Sequence, residues 1–287
     1  MATRRTAHQQ FLLKPDPQLN NDVIYCIGVA AERHEVQVMD FNALSDHLHQ
    51  QFYDRHGNAP AYLRDVHGFL AKVCNARFGR SENLWSSSKP SLVRLEDQGA
   101  IVDRLVYIAT NAVKHNLVES WQDWPGARGF AALISGKPLT ATKPKFFSRK
   151  SKKMPDKVTL YLRIPPEVGD HDTIIAMVLV RVAATERFFA HERALTGQPV
   201  LGRTKILRES RDAHARTRSS CRTLNPTLAA KLLENRLVAI QRKRDFERDY
   251  RKALLAYRAG APIPFPVGTY WLVRHLGVPV ELSEKLS

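Results

Sequence analysis

The sequence predicts an α+β fold: a small antiparallel sheet with flanking helices, followed by a mainly helical, basic C-terminal extension. Three observations carry the prediction. Alternating segments at 36–41 and 46–53 read as neighbouring strands. Apolar residues at helical spacing read as amphipathic helices, with Leu63, Val66, Leu70, Val73 and Cys74 on one stripe and Ile101, Leu105, Ile108 and Ala112 on another. Their order is strand, helix, strand, strand, helix, strand, helix, which suits helices layered against a sheet.

Taken in order, residues 8–13 (His-Gln-Gln-Phe-Leu-Leu) are expected to form the first strand, stopped by Lys-Pro-Asp-Pro at 14–17. Asn20 and Asn21 are placed to cap a helix with Val23, Ile24, Ile27, Ala30 and Ala31 on one side. The strand at 36–41 turns into an antiparallel partner at 46–53. Pro60 suits the first turn of the next helix, and Phe78-Gly79-Arg80 ends it. Leu84-Trp85 and 91–95 look extended, and a further helix covers roughly 98–119. Residues 1–138 are thus expected as one domain, 139–157 as an exposed basic linker rich in Lys, Pro and Ser, and 158–287 as the C-terminal region. Helices are expected there at 171–196 and 226–259, joined by a basic connection at 201–222. The aromatic stretch 264–272 is turn-rich.

Composition narrows the function. The 287 residues are 44% hydrophobic and 25% charged, as in globular proteins. Cys26, Cys74 and Cys221 are too few and too scattered for a disulfide framework or a zinc knuckle, which favours a reducing, cytoplasmic setting. No apolar run reaches the roughly 18 residues of a membrane span, and no signal core follows the N-terminal arginines. The formal charge is +16, and residues 151–287 hold 25 Lys and Arg against 14 Asp and Glu. Such a balance favours a polyanionic partner, nucleic acid before membrane, over a merely solvated basic surface.

Two short motifs carry chemistry. On a strand, His47 and His49 share one face while Leu48 points to a core. On the 98–119 helix, Tyr107 and Asn111 stack one turn apart, beside the apolar stripe rather than opposite it. Two imidazoles and an amide oxygen suit a divalent cation, Mg²⁺ or Mn²⁺, that would draw charge from a phosphodiester, and a tyrosine can attack phosphorus covalently. Spacing alone leaves plainer roles open: polar decoration for the histidines, packing for the tyrosine.

Taken together, the motifs resemble the REP-associated tyrosine transposases, the single-tyrosine HUH transposase family. His47-Leu48-His49 matches the HUH signature, and Tyr107-Ile-Ala-Thr-Asn111 together with its continuation to Val118 looks like the family's tyrosine helix. Trp121-Gln-Asp-Trp-Pro-Gly126 is similar to the segment after that helix, and the stretch from Arg77 to Trp85 resembles the family's entry into a strand. The stretches beginning at Val200 and Phe265 are similar to an extension of one branch. The resemblance implies an HUH-type, ferredoxin-like sheet. It also implies Tyr107 as nucleophile, and His47, His49 and Asn111 as metal ligands. The implied activity is that of a single-strand endonuclease-ligase: cleavage of hairpin-flanked single-stranded DNA to a 5′-phosphotyrosine and a free 3′-OH, with later rejoining. The family commonly has Ser-Asn before the first histidine, aliphatic residues after the second, and Asn-Pro after the tyrosine. Here stand Ser45-Asp46, Gln50-Gln51 and Asn111-Ala112.

These departures motivate a second reading, a domesticated relative that binds DNA hairpins with weak or absent strand transfer. A third is a basic RNA-binding protein with an accidental motif. For DNA contacts, Arg4, Arg5, Arg77, Arg80, Lys89 and Arg94 are candidates near the site. Lys143, Lys145, Arg149, Lys150, Lys152 and Lys153, interleaved with Phe146 and Phe147, have the composition of a single-strand groove or of a solvated linker. Monomer and homodimer both remain open, as does whether the tyrosine acts in cis or in trans.

Overall fold

The computed structural model describes residues 1–148, 151, 153–215 and 226–281. In chain order its elements begin with β1 (Ala2–Arg5), α1 (Pro17–His34), β2 (Gln37–Ala43), β3 (His47–Tyr53), α2 (Ala59–Phe78), β4 (Ser91–Leu92), β5 (Arg94–Leu95) and α3 (Gln98–Lys114). They continue with α4 (Phe130–Ser135), β6 (Leu139–Thr142), β7 (Lys157–Leu160), α5 (His171–Thr196) and α6 (Arg203–Arg208), and end with β8 (Leu228–Ala229), α7 (Leu233–Arg258) and α8 (Trp271–Leu276). The fold is α+β, as predicted.

The central sheet is antiparallel, in the order β2-β3-β1-β4. The β2–β3 hairpin keeps its predicted direction and pairs Asn42 with His49 and Asp40 with Gln51, with a bulge between Val38 and Asp40. Alternation then sorts the two faces. Leu48, Gln50 and Phe52 lie on the side of α2: the Tyr62 hydroxyl donates to Gln50 Oε1 at 2.7 Å, and the Tyr62 and Phe52 rings meet at 5.1 Å. Asn42, His49 and Gln51 lie on the other side, beneath α3. Asn42 Nδ2 donates to the carbonyl of Ile108 at 3.0 Å, and Gln51 Nε2 to that of Ile101 at 3.2 Å. These two buried amides grip the helix two turns apart.

The first strand is not where the apolar run suggested. Residues 8–13 form a turn, with His8 and Gln9 at φ of 51° and 56°, and the strand is Ala2–Arg5. Consecutive Leu12 and Leu13 are both buried. A strand, which alternates, would expose one of them. Asp16, not Asn20 or Asn21, caps α1 by accepting from the Leu19 N–H. Helix α3 stops at Lys114 rather than 119, because Asn116 turns left-handed at φ 53° and the Leu117 N–H closes on the Ala112 carbonyl. Helix α7 starts seven residues later than expected because 228–229 pairs in parallel with β5.

The stretch at 139–157 is also more than a linker. Strands β6 and β7 pair, and β7 packs so closely on α1 that a Cβ on Gly28 would lie 3.0 Å from Val158 Cγ2. The main core continues past it through Leu160, Leu162, Ile164, Ile174 and Val178. Helix α5 lies against α3, where Arg181 pairs with Asp103. Ala253 of α7, Phe265, Leu272 and Val278 make a separate small core.

Candidate active site

Strand register builds the site. β1 sets Thr3 beside His49 and Arg5 beside His47. Paired residues of an antiparallel ladder point to the same side, so Thr3, Arg5, His47, His49 and Asn42 share one face. The imidazoles of His47 and His49 meet edge to face at 4.5 Å, and His49 meets the Tyr107 ring at 5.2 Å. The tyrosine of α3 and the histidine pair of β3 therefore come together.

Each histidine has one ring nitrogen held. His47 Nδ1 lies 2.7 Å from Asp46 Oδ1, and His49 Nδ1 lies 2.8 Å from Thr3 Oγ1. Burial alone would raise the Asp46 carboxyl, but the hydrogen bond and charge of His47, with Arg5 nearby, bring it below its usual value. It stays ionised, so His47 Nδ1–H is the donor, and Nε2 is the ring nitrogen left outside that hydrogen bond. His49 is 3% exposed, and burial first, then the charges of His47, His115, Arg5 and Arg104, push its pKa well below the usual value. A neutral imidazole is the metal-binding form. A carboxylate behind a ring nitrogen is a usual outer support of a histidine ligand. Asp46 thus acts as an orienting group.

His49 Nε2 is buried without a partner among the described residues. So are both amide atoms of Asn111, a side chain 0% exposed one turn along α3 from Tyr107. Buried polar atoms without partners are uncommon, and each needs a physical reason. A cation held by His47, His49 and the Asn111 oxygen would supply one here. The fit depends on that amide, since among the described residues no group of three or more His, Cys, Asp or Glu could hold a metal.

Around Tyr107 the surroundings are cationic. The Arg104 guanidinium lies 5.9 Å and the Lys114 ammonium 5.7 Å from its ring centre. Arg104 is one turn before Tyr107 and Lys114 two turns after, so the helix itself sets both. The segment 121–126 fastens the end of α3: Trp124 packs with Ala112 and Val113, and its indole N–H donates to the Ala43 carbonyl at 3.0 Å.

The proposed DNA contacts divide. Arg5, Lys89 and Lys145 are exposed and make no ion pair with a described residue. Arg4 is spent on the carbonyls of Ser86 and Ser88. Arg77 pairs with Asp16, Arg80 with Glu82, Arg94 with Glu96, and Lys143 with Asp156. Arg4, Arg77 and Lys143 thus tie segments distant in sequence, whereas Arg80 and Arg94 pair with carboxylates only two residues on. Arg149, Lys150 and Lys152 lie outside the described residues. Sequence reasoning missed Thr3, Arg104 and Lys114. Arg104 and Lys114 could have been found from their spacing to Tyr107, whereas Thr3 depends on strand register.

Compared with known proteins, the chain matches no family model, no curated protein and no solved structure.

Proposed function

We propose that the chain is a metal-dependent DNA strand transferase of the single-tyrosine HUH type, acting on single strands beside a hairpin. The observation that carries this reading is the convergence of Tyr107 on His49, with His49 Nε2 unpartnered and, one turn along α3 from Tyr107, both Asn111 amide atoms buried and unpartnered. The sheet order β2-β3-β1-β4 adds support, being that of the split βαβ, ferredoxin-like arrangement.

His47, His49 and Asn111 would hold Mg²⁺ or Mn²⁺, which when bound draws charge from a nonbridging phosphate oxygen. Tyr107 loses its phenolic proton to solvent as its oxygen bonds phosphorus. The bond from phosphorus to the 3′ oxygen breaks, and that oxygen takes up a proton to become a 3′-OH. The 5′-phosphotyrosine keeps the bond energy, so attack by a 3′-OH rejoins the strand and frees Tyr107. Arg5, Arg104 and Lys114 attract the phosphates flanking the reacting one.

The test is a labelled single-stranded hairpin incubated with Mn²⁺ or Mg²⁺. A denaturant-stable adduct is expected, lost with chelator and lost in Tyr107→Phe while binding persists. An adduct that survives Tyr107→Phe would reject Tyr107 as nucleophile. Binding by the wild type without any adduct would select the alternative, a domesticated hairpin-binding relative.

A further inference from the structure

Helix α7 carries a second basic feature, on a different element from the tyrosine. Arg236, Arg244, Arg251 and Arg258 follow one another at intervals of eight, seven and seven residues. At about 100° per residue they fall within a sector of about 80°, and at about 1.5 Å per residue they span about 33 Å. All four are exposed, and none has an ion-pair or hydrogen-bond partner among the described residues. Their neighbours behave differently. Arg242 pairs with Glu96 and Arg248 with Asp245, while Lys243 takes Glu247, the one carboxylate in the sector.

We propose that this arginine ridge is a docking surface for double-stranded DNA. A rigid row of about 33 Å matches roughly one turn of duplex, whose phosphates offer charge at every position along it. Single strands are bound by basic grooves lined with aromatic platforms, and the ridge has none. The aromatic residues of α7 lie outside that sector: Phe246 stacks on Tyr250, and Tyr250 and the partly exposed Tyr257 pack on Phe265. A second copy of the chain fits poorly. The exposed Leu237 and Leu255 at the margin are separated by Arg244 and Arg248, so paired helices would set arginine against arginine. The ridge does not use Tyr107, so its success or failure is independent of the strand-transfer reading.

The experiment measures binding of a blunt DNA duplex by the full chain in EDTA, where no strand transfer occurs, across 50 to 200 mM salt. Replacing all four arginines by alanine is expected to lower duplex affinity at least about tenfold at 50 mM. It should also flatten the slope of log affinity against log salt by about 3.6, at about 0.9 per phosphate contact. Affinity for a single strand of equal length should change less than threefold. A control of equal charge replaces exposed Lys72, Lys137, Lys157 and Arg187 by alanine and should leave the slope within about one. An unchanged duplex slope in the ridge variant overturns the proposal. So does an equal loss in the control, an equal loss for single strands, tighter binding to an RNA duplex or to anionic vesicles than to DNA, or a ridge-dependent dimer in sedimentation.

Discussion

The two faces of the central sheet are built from the same strand and treated in opposite ways. On the α2 side, the polar residue Gln50 is buried and answered by the Tyr62 hydroxyl. Beneath α3, Asp40, Asn42, His49 and Gln51 are all buried, and each keeps one side-chain atom without a partner; Asn111 keeps two. Half of the twelve such atoms among the described residues lie in this one layer. Buried polar groups that go unsatisfied cost the fold free energy. One face is arranged for stability. The other gives up stability where chemistry is proposed, and departures from folding rules tend to gather at functional sites.

Asp46 offers the largest test of this contrast. Asp46→Asn removes the charge behind His47 and should weaken Mn²⁺ binding 10- to 100-fold, read by calorimetry or electron paramagnetic resonance, with folding intact. Unchanged affinity would mean that Asp46 does not orient a metal ligand.

A matched pair of substitutions follows, expected to move stability in opposite directions. Gln50→Leu strands the Tyr62 hydroxyl in the core and should cost about 1–3 kcal/mol. Asn111→Leu removes two unsatisfied atoms and should raise stability by about 1–2 kcal/mol while abolishing Mn²⁺ binding. Denaturant unfolding in EDTA reads both signs. A destabilised Asn111→Leu would show that the amide already has a partner.

The smallest effect separates His49, buried beneath α3, from His67, a half-buried histidine of α2. Burial lowers the pKa of His49 well below its usual value and that of His67 to about 3. Below about pH 6.5 the unfolded chain takes up protons that these two rings refuse when folded. The unfolded state then binds more protons, so stability falls as pH falls, for His67 through the window from about 6.5 to about 3. Each ring contributes at most about 1.4 kcal/mol per pH unit. His67→Gln and His49→Gln should each flatten the slope between pH 6.5 and 5, and only His49→Gln should remove metal binding. An equal loss of metal binding in both would erase the distinction between the faces.

Much of this layer was legible in the sequence. The parity of His47, Leu48 and His49 and the one-turn step from Tyr107 to Asn111 are local periodicities, and local periodicities survive folding. Register is not local. Ala-Thr-Arg-Arg offers no apolar alternation, so β1 went unread, and with it Thr3 behind His49. Asn42 and Gln51 were invisible as grips on α3 because their partners are backbone carbonyls 66 and 50 residues away. Gln50 and Gln51 read in sequence as departures from an aliphatic pattern; in the fold, one secures α2 and the other α3.

One carboxylate joins the two proposals. Asp97 Oδ1 caps α3 by accepting the Ala100 N–H, while its Oδ2 accepts the N–H groups of Lys231 and Leu232 where α7 begins. The tyrosine helix and the arginine helix thus start from the same pin. With a duplex on one and a reacting phosphate on the other, that pin would act as a ruler, setting the number of nucleotides between stem and cut by the fixed start of both helices and not by the reach of a tether.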